Sequence, residues 1–156
     1  MNKFRGPKNN QIPIPDSRDW GQIPKDDLDM LGSHTDYFGK SCSEIVPKFL
    51  SNPISMIDSL RWMPHKPFVF YFRCLAATIT NGQANASAGP DLASSFLRLI
   101  EEKAQSNPLA IRANMAIARE VVGYIASNQK HFNAKPEIYG NFVLIGERIN
   151  ALLDKI

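Results

Sequence analysis

Phe68-Val-Phe-Tyr-Phe-Arg-Cys-Leu-Ala-Ala-Thr-Ile79 is the stretch on which the fold class turns. Its aromatic residues and Val69 favour a β-strand locally, because bulky and branched side chains suit a pleated, half-buried surface. Its length, the run at 74–77 and the lack of any partner strand elsewhere favour a buried helix. Taken as a helix, it agrees with its surroundings. On its N-terminal side Pro64 and Pro67 mark a turn, and Asn52-Pro53 reads as a cap followed by a first helical position. A short helix then runs through Ile54, Ile57 and Leu60. Before it, Ser41-Cys-Ser-Glu44 matches a capping box, so a helix is expected from there to about Asn52, with a start nearer Pro47 as the alternative. Pro24 suits the start of another short helix, which Gly32 ends, with Asp26, Asp27 and Asp29 at its positive end.

On the C-terminal side, residues 81–90 form a polar loop of small residues, and three helices follow. The first, 91–105, carries Leu92, Phe96, Leu99 and Ile100 on one face. The second, 108–127, carries Ile111, Met115, Val122 and Ile125. The third, 136–155, spaces Ile138, Phe142, Ile145, Ile149, Leu152 and Ile156 along one stripe, leaving Glu147 and Arg148 in solvent. The fold class is therefore all-α: a single compact multi-helix, bundle-like domain over 24–156 with about six or seven helices. Residues 1–23 hold Pro7, Pro13 and Pro15 and read as an N-terminal arm anchored by Trp20. The C-terminal stripe either completes a monomer core, the preferred reading, or forms the seam of a homodimer.

Composition narrows the function. The chain has 156 residues, 44% hydrophobic and 21% charged, which is too apolar and too weakly charged for intrinsic disorder. Two cysteines do not make a disulfide-rich scaffold. Cys42 and Cys74 read as plain thiols of a cytoplasmic protein, with a disulfide between them as the less favoured reading, since no apolar segment follows the basic residues at the start and no export signal is expected. Neither cysteine has a ligand partner at zinc-site spacing, so no metal and no cofactor are expected. No run approaches the ~18 apolar residues of a membrane span. A net charge of +3 is weak support for nucleic-acid binding.

Three constellations remain. Aspartates 16, 19, 26, 27, 29 and 36 fall in a window with only Arg18 and Lys25 as bases, a local charge of −4, whereas Lys3, Arg5 and Lys8 make a basic tip. Such an acidic ridge steers a basic partner, and Asp26, Asp27, Asp29 and Asp36, with Trp20, are its candidate contact residues. The dipole of a following helix is an alternative reason for Asp26 and Asp27. Secondly, His34, Asp36 and Tyr37 form a cluster of acid–base type, with a structured turn as the competing reading. Thirdly, Arg61, Lys66 and Arg73 interleave with Trp62, Phe68, Tyr71 and Phe72, as in single-strand nucleic-acid platforms. Arg112, Arg119 and Lys130 extend that basic set. An inward aromatic face with outward bases gives the same pattern. His65 and His131 read as surface residues.

The segments Phe38-Gly-Lys40, Leu60-Arg-Trp-Met-Pro64 and Pro67-Phe-Val-Phe-Tyr-Phe72 together resemble small bacterial proteins of uncharacterised families. In these a short helix leads into L-x-x-M-P-x-x-x-F-x-x-Y and then a buried aromatic helix. The resemblance covers about a third of the chain, and its signature is structural, so it carries no functional residue across. Some similar small helical proteins are immunity proteins that bind and neutralise a cognate toxin. The expectation is thus a non-enzymatic protein-binding module of immunity type with a protein partner. A nucleic-acid-binding helical protein, or an enzyme with a site near His34, Asp36 and Tyr37, stands as the alternative.

Overall fold

The structure, a computed structural model, describes residues 12–84 and 87–156. The basic tip and residues 85–86 of the polar loop lie outside the described residues. Among the described residues there are ten helices and no strand. In order they are α1 (Ser17–Trp20), α2 (Leu28–Tyr37), α3 (Cys42–Ser51), α4 (Pro53–Leu60) and α5 (His65–Thr80), then α6 (Gly89–Ser106), α7 (Pro108–Arg112), α8 (Met115–Ser127), α9 (Pro136–Tyr139) and α10 (Phe142–Leu153).

The stretch at 68–79 is helical, inside α5, and its burial shows why. Phe68, Tyr71, Phe72, Leu75 and Ile79 recur at helical spacing and are all buried. Phe72 meets Phe96 of α6 at 5.5 Å between ring centres, joining the two longest helices. Around them, α1, α3, α4, α7 and α8 pack on α5, while α4, α7, α8 and α10 pack on α6. α10 thereby closes the core over α6 and α8.

Side-chain caps set four of the ten described helix starts. Asp16 and Asp19 form a reciprocal capping box on α1. Asp27 accepts from the Met30 amide, Ser41 from Glu44, and Asn141 from Val143 and Leu144. Pro53 and Pro108 open α4 and α7 without a side-chain cap. At the end of α4, the buried Lys103 reaches across from α6, donating from Nζ to the Arg61 carbonyl at 2.7 Å.

Several expectations change. The helix expected to start at Pro24 starts at Leu28, because Asp27 provides the cap and Pro24–Asp27 closes as a turn. It runs on through Gly32, since burying Ser33 and Tyr37 requires another turn and a half. The bend falls at Gly39, whose φ of +73° suits glycine. The helix expected at 108–127 is two helices. Asn114 interrupts it and turns its amide inward, where the residue is only 2% exposed. The helix expected at 136–155 is also two, parted by Gly140 with φ +82° and the cap Asn141. That break shifts the phase. Ile138 is 71% exposed, and Phe142, Gly146, Ile149 and Leu153 face the core; Ile145, Leu152 and Ile156 lie half-buried. The thiol reading is overturned as well: Cys42 and Cys74 form a disulfide, with Cα atoms 5.3 Å apart. Packing of α3 across α5 brings together two residues 32 positions apart, which spacing alone does not reveal.

Candidate functional site

α3 and α8 both pack against α5 and leave a groove of about 730 Å³ above it. The face of α5 opposite the aromatic core supplies the floor: Phe70, Arg73, Ala77 and Thr80, spaced at three and four residues. Ala77 is exposed there, and its small side chain leaves the middle of the floor low. The first turn of α3 makes one wall, with the Cys42–Cys74 disulfide joining wall to floor. Ile117 and Glu120 of α8 make the other wall. Ile12 and Ile14 make one end apolar, whereas Asn81 and Gln83 make another part of the rim polar.

Arg73 and Glu120 are the two charged residues of this lining. Arg73 is half-buried, and its Nε donates to Asn114 Oδ1 at 2.7 Å. Asn114 in turn donates from Nδ2 to the Val69 carbonyl at 3.1 Å. The break between α7 and α8 therefore puts a buried amide where it orients the guanidinium. Among the described residues neither Arg73 nor Glu120 takes part in an ion pair. The arrangement is an apolar groove with one oriented cation, suited to binding a ligand by burial and one charge-assisted contact.

The aspartate window resolves mainly into capping and pairing. Asp16, Asp19 and Asp27 cap helices. Asp19 also lies 3.4 Å from Lys66, and the Asp16 amide beside it holds its carboxyl below the usual value. Asp36 accepts from Ser59 Oγ at 2.7 Å. Asp26 and Asp29 are exposed with no hydrogen bond or ion pair to another described side chain. Trp20, grouped with them as a contact residue, is buried edge-on against His34 and has no surface to offer a partner.

His34, Asp36 and Tyr37 share one turn of α2 but direct their polar atoms apart. His34 stacks on Phe38 at 4.5 Å, and the buried Tyr37 hydroxyl donates to the Met56 carbonyl at 2.6 Å. Burial pushes the Tyr37 phenol far above its ordinary range, which keeps it neutral. The basic set is likewise dispersed. Arg61 pairs with Asp58 and Glu102, Lys66 with Asp19, and Arg119 with Asp154, while Arg112 and Lys130 are exposed elsewhere. Among the described residues no group of three potential metal ligands occurs. No described helix is long and apolar enough to cross a membrane.

Sequence reasoning missed Asn114 and the groove itself. The one available signal was the second face of α5, where Phe70, Arg73, Ala77 and Thr80 share helical spacing without a large residue after Arg73. No family model, curated protein or solved structure matches the chain, so function is read from these residues.

Proposed function

We propose that the protein is a non-enzymatic binding module that receives a segment of a partner protein in the groove over α5. The groove carries this reading: at about 730 Å³ it falls among ligand-sized cavities of roughly 300–1,000 Å³, with apolar lining and a few polar groups. A protein segment suits it better than a purely apolar small molecule. Each peptide unit brings a donor and an acceptor, and the rim offers the Asn81 and Gln83 amides to meet them. Asp26 and Asp29 add exposed acidic charge for steering a basic partner. An immunity-type role, in which the partner is a toxin, is the narrower form of this proposal and rests on the resemblance over residues 38–72. The disulfide favours an oxidising compartment over the cytoplasm expected from the sequence.

Ala77→Trp tests the reading, because it fills the groove from an exposed position without entering the core. Immobilised wild-type protein retains a partner from an extract of the native host, and the variant, with unchanged circular dichroism and melting, does not. Identical retention by both removes the groove from the function.

A further inference from the structure

We infer that the segment received is the C-terminal end of a polypeptide, its carboxylate held by Arg73 and its last, apolar side chain packed beside Phe70. This rests on the binding reading above and specifies its ligand.

Arg73 lines the open groove, where an anion can reach its guanidinium and gain a charge-assisted contact. Arg73 spends its Nε on Asn114, which fixes the plane of the fork, and among the described residues no carboxylate pairs with it. An oriented fork presenting its terminal nitrogens matches a carboxylate in two-point geometry. The first turn of α3 borders the same groove, so its amides add positive potential. Phe70 lies one turn before Arg73 on α5, with Ile117 on the facing wall, so the apolar surface adjoins the cation. A C-terminal residue meets that pattern compactly, because its carboxylate and its side chain leave the same carbon. Glu120 is the opposing charge in the lining; it is exposed, where solvent screens it, and it weakens anion binding without abolishing it.

The test uses the whole oxidised protein against arrays of hexapeptides ending in valine, isoleucine, leucine or phenylalanine. Each is presented with a free C-terminal carboxylate and as the C-terminal amide, and hits are titrated by fluorescence polarisation. Free-acid peptides bind about tenfold more tightly than their amides. Arg73→Gln erases that difference, Arg73→Lys recovers part of it, and Glu120→Gln tightens the free acids. Equal binding of acid and amide, both lost in Ala77→Trp, overturns this inference and leaves the proposed function standing. Binding that Ala77→Trp does not touch overturns both. Silence of both arrays, or binding that appears only after removal of residues 1–11, overturns the inference, the latter by giving the groove to the protein's own N-terminus.

Discussion

Cys42 at the start of α3 is bonded to Cys74 in the middle of α5, so one covalent link ties a wall of the groove to its floor. The bond closes a loop between residues 32 apart, and loop closure of that length is worth about 3–4 kcal/mol in the chain-entropy account. The double variant Cys42→Ser, Cys74→Ser is therefore expected to melt roughly 10 °C lower than the oxidised protein. Reductant should lower the wild type by a similar amount and leave the variant unmoved. Equal melting of the oxidised protein and the variant in calorimetry would show that α3 is held by packing alone.

The Tyr71 hydroxyl lies 2.7 Å from the carbonyl oxygens of both Tyr37 and Lys40, and burial pushes its phenol up to about 12. The folded pKa is raised above the unfolded value near 10, so the contribution to stability is complete below pH 10. It is lost as pH rises from there through 12. The loss from Tyr71 is about 2–3 kcal/mol, and Tyr37, shifted the same way by burial, adds to it. Urea unfolding at a series of pH values from 9 to about 12 is expected to show this decline. Tyr71→Phe starts from lower stability but declines less steeply. A parallel decline in the two proteins would remove Tyr71 as its source.

The aspartate window separates capping from free charge. Asp27 accepts from the Met30 amide at 3.0 Å, so Asp27→Ala costs about 1 kcal/mol through the lost cap of α2. Asp26→Asn and Asp29→Asn change stability less, by about 0.5 kcal/mol or below, because neither side chain has a described partner to lose and Asp29 gives up only a solvent-screened charge in the first turn of α2. With a partner in hand, those two substitutions slow association and leave dissociation unchanged. Stability losses of the same size at all three positions would mean that the window acts as one structural unit.

How much of this was legible depends on whether the cause lay nearby in the sequence. The helix at 68–79 was legible because Phe68, Tyr71, Phe72, Leu75 and Ile79 carry the helical period themselves. The start of α3 was legible because Ser41 and Glu44 sit within one turn. The break before α10 had a local signal, Gly140-Asn141, a positive-φ glycine followed by a capping residue, outweighed by the apparent stripe from Ile138. The break before α8 had none. Asn114 turns inward to meet Arg73, 41 residues away, and only tertiary packing sets that meeting. The groove is hidden for the same reason: its floor is a second face of α5, and its walls come from helices on either side in sequence.

Gly89 makes a prediction whose sign runs against helix propensity. It opens α6, where the backbone passes so close to the 128–134 turn that an added Cβ would lie 2.9 Å from the Phe132 carbonyl oxygen. That neighbour is backbone and cannot rotate away, so Gly89→Ala forces α6 or the turn to shift and costs about 1–3 kcal/mol. Gly123 provides the control. It lies inside α8, exposed, with nothing within 4 Å of its would-be Cβ. Gly123→Ala therefore stabilises by about 0.5–1 kcal/mol, as alanine does in an open helical position. Urea midpoints of the two variants should move in opposite directions from the wild type. Stabilisation by both substitutions would mean that α6 does not dock on the Phe132 backbone as closely as the structure has it.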